Sequence, residues 1–255
     1  MTLLIFIPLI VMLSSAFKPD SQLYDFPMRI IPKTPTMDNF NQLLDRFPLY
    51  TWNSAKLTFI IVLVQLITAT TGAYAFSKLQ WKGRDIVFVF YIISIMIPVQ
   101  SIIIPQFLIV RNLGLYNSHW ALILTGAFTA FGTFLIKQYF MTIPDSYVEA
   151  ARIDGASEFS IFFRIMLPLA KPVFATQIIF AFRFFWNDFF SPLIYITSQN
   201  LKTIPLGMSD FATEFYTYKG PQMAASFISI IPVMIIFLAA QKYFVEGVAA
   251  TGVKG

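Results

Sequence analysis

The residues able to do chemistry are few, and their scarcity narrows the reading at once. The 255-residue chain has no cysteine and a single histidine, His119. Its sequence therefore offers no thiolate nucleophile, no disulfide and no histidine-based metal cluster. No G-x-x-x-x-G-K-[ST] run is present to cradle a phosphate, and neither H-E-x-x-H nor G-x-S-x-G occurs. What remains is recognition chemistry. Arg183, Trp186, Asn187 and Asp188 fall within six residues. An aromatic face beside carboxylate and amide edges suits a ligand with both C–H faces and hydroxyl groups. The competing reading is a buried salt bridge or a contact with a neighbouring subunit. Gln65, Thr68 and Thr71, with Gln100 and Gln106, add further polar candidates, though each alone also suits a helix–helix hydrogen bond. A denser charged group, Asp145, Glu149, Arg152, Asp154, Glu158, Arg164 and Lys171, stands near the middle of the chain.

The elements that must position these residues are membrane helices. Hydrophobic residues make up 57% of the chain, charged residues 12%, and Phe alone contributes 29, against about 45–50% apolar and about 25% charged in soluble domains. The net charge of +5 comes from Lys and Arg scattered singly, which argues against a nucleic-acid surface. Segments 57–76 and 86–110 carry no charge, and 120–141, 173–196 and 223–243 complete five apolar runs near the ~20 residues a spanning helix needs. A sixth, 2–17, reaches only ~24 Å as a helix. It reads as a short span, with a signal peptide ending at "SSA" as the alternative. The expectation is an all-α, six-span protein, with both termini on one side and larger connections at 18–50, 145–170 and 197–222. Lys/Arg counts on the two sides are too even to orient it. Pro98, Pro105, Pro192 and Pro232 predict interrupted spans. Gly126/Ala130 and Thr129/Thr133 predict a close-packing stripe on the fourth. In the 18–50 connection, Thr36 is placed to cap a short helix over "MDNFNQLLDRF". His119 reads as an interfacial side chain.

Residues 145–170 read as helix, bend and helix. Pro144 and Asp145 end the fourth span, and "SYVE" from Ser146 predicts a capping box with Glu149. Ala150 and Ala151 leave a face almost free of side chain. Gly155 supplies the bend, and Phe159, Phe162, Phe163 and Ile165 fall at helical spacing beyond it. Such a segment could lie on lipid headgroups. Its mixture of acids and bases and its small-residue face favour docking to a protein instead.

Glu149-Ala150-Ala151, three residues, Gly155, nine residues, Ile165, one residue and Leu167-Pro168 resembles the EAA loop of the membrane subunits of ABC importers. Asp154 before the glycine and Ala156 after it match the carbohydrate-importer version. "SSAFKP" (14–19), "WNDFFSPLIYIT" (186–197), "KTIPLGM" (202–208) and the ending "QKYFVEGVAATGVKG" (241–255) resemble the second permease subunit of maltose-type systems. The departure from the family's pattern is at the start, where its members usually carry a basic cytoplasmic tail before the first span. The resemblance implies a cytoplasmic EAA loop seated in a separate ATPase subunit, which places both termini in the cytoplasm of a bacterial or archaeal cell. It assigns polar rim contacts to Glu149 and Arg152, close approach to Ala150 and Ala151, anchoring to Phe159 and Phe162, and the angle between the halves to Gly155, with Asp154, Leu167 and Pro168 also counted in the ATPase-coupling loop. It further implies a similar second permease, two ATPase subunits that carry ATP and Mg, and an external solute-binding protein met by loops containing Phe211, Phe215, Tyr216 and Tyr218. The chain itself is expected to be non-catalytic, a lever worked by its partner, moving a sugar or oligosaccharide. A scaffold or sensor that recruits a cytosolic protein, or an importer of another solute such as a polyol phosphate, stands as the alternative.

Overall fold

The computed structural model describes residues 2–27, 29–211 and 218–252, with side chains from Leu4 to Ala239 and at Gln241. Every regular element among them is helical. The principal helices are α1 (Thr2–Ala16), α2 (Phe47–Ser77), α3 (Arg84–Ile93), α4 (Val99–Asn112), α5 (His119–Gly126), α6 (Ala130–Thr142), α7 (Asp145–Ile153), α8 (Glu158–Leu169), α9 (Lys171–Trp186), α10 (Phe190–Tyr195) and α11 (Lys219–Gly252). Among the described residues, three helical stretches are long and apolar enough to cross a membrane: α2, His119–Thr142 and Lys219–Ala239. The count rises to five if each sharply bent pair is one span. The first apolar helix, α1, is shorter than these in its described part and ends where the Phe17 and Lys18 N–H groups turn back on the carbonyls of Ser14 and Ser15. Only 11% of the most apolar stretch of Lys219–Ala239 is buried, and Ile5, Phe90, Ile104 and Phe184 also lie open. Apolar surface on that scale needs lipid or a partner.

The interruptions have separate causes. Between α3 and α4 the chain turns by 102°. Pro98 is the N-cap of α4, and Ile97 before it is extended at φ −83° and ψ 112°, as the residue preceding a proline prefers. Between α5 and α6 there is no proline. Thr129 leaves the helix, and its hydroxyl accepts from the Gly132 N–H at 3.0 Å. The expected small-residue stripe is therefore divided by this break. Gly126 still packs closely, since a Cβ there would come within 2.9 Å of Ile61. Within α8, Phe162–Met166 widens into a π-turn. Pro168 follows with no N–H to offer the Arg164 carbonyl. Finally α9 ends at Trp186 and α10 starts at Phe190, so the predicted 173–196 span is two helices with Asp188 in the gap.

The chain forms two compact units, 1–56 with 186–235 and 57–185 with 236–255. The first is held by polar side chains that take up backbone groups. Asn39, buried, donates to the carbonyls of Ala16 (2.9 Å) and Lys18 (2.8 Å). Lys18 donates to the Arg29 carbonyl, and Asn53 donates to those of Asn200 (2.9 Å) and Lys202 (3.0 Å). Ser54 accepts from the Ile204 N–H at 2.8 Å. Buried loop carbonyls need such partners, so "SSAFKP" and "KTIPLGM" serve here as fastening points. Thr36 accepts from the Asp38 N–H at 3.1 Å, while Met37 is the N-cap of the short Asp38–Asn41 helix. The second unit has a core of Ala69, Ala73, Tyr74, Ile136, Phe140, Val148, Ile161, Phe162, Met166 and Ala170, among others. This core joins α2, α6, α7 and α8.

Candidate functional site

Residues 145–170 fold as two short arms, α7 and α8, around a glycine turn. The first arm starts at Asp145 with Pro144 as N-cap and no side-chain cap, so the predicted Ser146–Glu149 capping box does not form. Asp145 instead pairs with Lys78 at 2.5 Å, and a negative charge in the first turn suits the helix dipole.

The end of α7 explains the spacing of its motif. Asp154 is the C-cap, and Gly155 follows at φ +79°. The Gly155 N–H bonds to the Arg152 carbonyl at 3.0 Å, and the Ala156 N–H bonds to the Ala151 carbonyl at 2.9 Å. These are the two bonds of a Schellman motif, in which the glycine position is left-handed and the flanking small residues meet. Ala151 and Ala156, both half-buried, are that meeting pair. Beyond the turn, Ser157 caps α8 by accepting from the Ser160 N–H at 3.3 Å.

The two arms divide their side chains between an inner and an outer face. Glu149, Ala150, Arg152, Asp154 and Pro168 are exposed, and Leu167 is half-buried. Ile153 is 86% exposed, Phe159 78% and Phe163 59%. Phe162 is a correction to the predicted anchors. It is 8% exposed, in the core against Tyr74 with ring centroids 5.2 Å apart. Ile161 and Met166 are fully buried and set the helical phase, which turns Phe162 inward and leaves Phe159 and Phe163, one turn apart, outside. Ile153 is an exposed apolar residue that the sequence reading did not single out. Its neighbours 149–152 gave it a polar setting, and only the finished fold exposes it. Phe159 and Phe163, with Glu158 at their edge, leave apolar surface open beside charge, a composition suited to a protein-binding surface. An apolar hollow of about 260 Å³ opens beside it, lined by Thr71, Tyr74, Leu79, Phe159, Phe162 and Phe163, with Glu158 at its polar edge.

Polar contacts fasten this segment to the end of α2. The Lys78 ammonium, buried, donates to Asp145 and, at 2.8 Å, to the Ile143 carbonyl. The Tyr74 hydroxyl donates to Glu158 at 2.5 Å. Arg152 donates to Glu158 at 2.8 Å and to the Lys78 carbonyl at 3.4 Å. The Arg152 hydrogen bond, aided by that of Tyr74, holds the Glu158 carboxyl below its ordinary range. The pair is therefore fully formed above the usual carboxylate titration and loosens only as the pH falls through the lowered value.

The predicted ligand-pathway residues are not gathered in this way. Gln65, buried, donates to the Gly126 carbonyl at 2.8 Å, and Thr68 donates to that of Ala127 at 2.8 Å. Both therefore satisfy carbonyls released by the break between α5 and α6. Gln100 is exposed on α4. Arg183 is exposed on α9, and Asn187 is exposed just after it. Trp186 is buried and gives its indole N–H to the Ser229 carbonyl at 2.9 Å. Asp188 caps the next helix, accepting from the Ser191 N–H at 3.1 Å. His119 is half-buried as the first residue of α5, Phe211 is half-buried and Tyr218 is exposed. Phe215, Tyr216 and the side chains of the ending from Lys242 lie outside the described residues.

The family model for "Binding-protein-dependent transport system inner membrane component" matches residues 66–249, a stretch that contains both arms. The chain is 34% identical over 253 residues to the arabinooligosaccharides transport system permease protein AraQ of Halalkalibacterium halodurans, covering 97% of this chain and 91% of that protein. It is 34% identical over 253 residues to the sn-glycerol-3-phosphate transport system permease protein UgpE of Salmonella typhi, covering 95% and 90%. Among solved structures, a bacterial ABC transporter involved in the import of the acidic polysaccharide alginate matches at TM-score 0.86 and 26% identity, covering 95% of this chain and 92% of that one. The chain belongs to the family of inner membrane components of binding-protein-dependent ABC transport systems.

Proposed function

We propose that this chain is a permease subunit of an ATP-driven importer for a sugar or oligosaccharide, worked by a separate ATPase through residues 145–170. The observation that carries the reading is the outer face of that segment. Ile153, Phe159 and Phe163 stand open to solvent, as do Glu149 and Arg152, on arms joined by a turn closed with main-chain hydrogen bonds. Apolar surface presented in this way is suited to a groove on another protein, and Ala150 allows that protein to come close. The chain would supply no catalysis; ATP and Mg would be held by two ATPase subunits.

In this reading the six spans lie near 2–17, 57–76, 86–110, 120–141, 173–196 and 223–243, with both termini and the 145–170 segment in the cytoplasm. The connections 18–50 and 197–222 face outward toward a solute-binding protein. A second, similar permease completes the path. Arg183 and Asn187, exposed, would face that path or its partner. Carbohydrate is favoured because a relative of near-equal length is named for arabinooligosaccharides. A polyol phosphate is the second reading, favoured by the equally similar glycerol-3-phosphate relative.

The test is co-expression of the two permeases, the ATPase and the binding protein, reconstituted in proteoliposomes. ATP-dependent accumulation of arabinotriose is the expected outcome. Accumulation of glycerol 3-phosphate instead would shift the substrate class, and ATPase binding with no vectorial uptake of either would favour a scaffold.

A further inference from the structure

We infer that Tyr74, in the last turn of α2, and Lys78, the residue that follows the helix, form the joint through which movement of the 145–170 segment is delivered to the membrane helices. The inference rests on the reading given above. Its support is the way both arms converge on the end of one helix. Lys78 reaches the start of α7 through Asp145 and the end of α6 through the Ile143 carbonyl. Tyr74, one turn earlier, holds the start of α8 through Glu158. Arg152 closes the figure by joining Glu158 to the Lys78 carbonyl. Three segments are thus tied to α2 by directional bonds, so displacing the bent segment must displace α2 or break the joint.

The burial of the ion pair is lopsided. The Lys78 side chain is 3% exposed and that of Asp145 is 76% exposed. A buried ammonium that loses its carboxylate is left uncompensated, which opposes parting of the segment from α2. The carboxylate, being open, can follow a partner as it closes on the outer face. Packing alone would not need this arrangement, because the apolar core of Val148, Ile161, Phe162 and Met166 already holds the arms. The polar joint adds direction, and direction is what a transmitted force requires. Tyr74 and Lys78 are positioning residues here, acting through the arms and touching no substrate.

The experiment uses the complete transporter in proteoliposomes and reads ATP hydrolysed per solute accumulated. Tyr74→Phe removes one hydroxyl and keeps the ring in the core. The ATPase should still co-purify and hydrolyse ATP, while the ATP-to-solute ratio rises at least about fivefold, the lower end of ordinary coupling between sites. Lys78→Met should raise it further, and Lys78→Arg, which keeps a cation, should restore much of the coupling. If Tyr74→Phe leaves the ratio unchanged, whether or not uptake and hydrolysis fall together, the joint is structural only and the inference is overturned. Should Lys78→Met fail to assemble, Tyr74→Phe decides alone. The wild-type control separates this inference from the reading beneath it: ATP-driven uptake by the wild type keeps that reading even if every variant behaves normally.

Discussion

The 145–170 segment and the connection around Asn39, Asn53 and Ile204 are both built from short helices and turns, yet they use polar side chains in opposite ways. In the second, Lys18, Asn39, Asn53 and Ser54 point inward and satisfy loop backbone. Its side chains fit against glycine: a Cβ on Gly207 would lie 2.2 Å from the Tyr50 ring, and one on Gly220 would lie 2.3 Å from the Asn39 amide oxygen. In the first, the Schellman turn satisfies its own main chain, and although Lys78 and Arg152 each take up a carbonyl, Glu149, Ile153, Phe159 and Phe163 are left exposed. A region that consumes its polar groups internally is a brace. A region that leaves charge and apolar surface exposed has something still to bind.

The sharpest way to break this contrast is Gly155→Pro. Proline fixes φ near −65°, far from the observed +79°, and removes the N–H that bonds to Arg152. The combined local cost is about 3 kcal/mol or more. The ATPase should no longer co-purify, while the chain still inserts in the membrane; normal co-purification would sink the docking role of the turn. Next comes a matched pair on the second arm. Phe162→Ala opens the core and should cost about 3–5 kcal/mol, visible as a lower unfolding midpoint of the solubilised complex. Phe163→Ala should leave that midpoint nearly unchanged and weaken ATPase capture. Reversed outcomes would mean the inner and outer faces are wrongly assigned. The smallest effect is expected in the brace. Gly207→Ala forces the Tyr50 ring to move, an overpacking of about 1–3 kcal/mol. It should lower thermal stability with ATPase binding intact.

Much of the local fold of residues 145–170 was legible in the sequence because its constraints are local. Gly155 and the alanines around it act within one turn of chain, and Pro98 dictates the conformation of the residue before it. What was hidden depended on distant partners. The capping box at Ser146 was plausible until Lys78, a buried cation 67 residues away, drew Asp145 into the first turn. Phe162 shared helical spacing with Phe159 and Phe163, and only the packing of Ile161 and Met166 against α2 and α6 told them apart. The break at 127–129 carries no proline or glycine of its own to announce it, because the donors that sustain it, Gln65 and Thr68, sit on another helix. Those two residues looked like ligand contacts for the same reason: polar groups in an apolar run signal a need without naming what meets it.

That break differs from the one at Pro98 in what keeps it open. A proline enforces its bend whatever surrounds it. The fourth span stays parted at Gly126 and Ala127 with an amide and a hydroxyl from α2 gripping the loose carbonyls, so its shape is borrowed from a neighbour. Slide α2 by a single turn and the grip is gone. Those oxygens sit at a helix end with no amide of the next turn to accept from, so the parting lasts only as long as Gln65 and Thr68 stay opposite them.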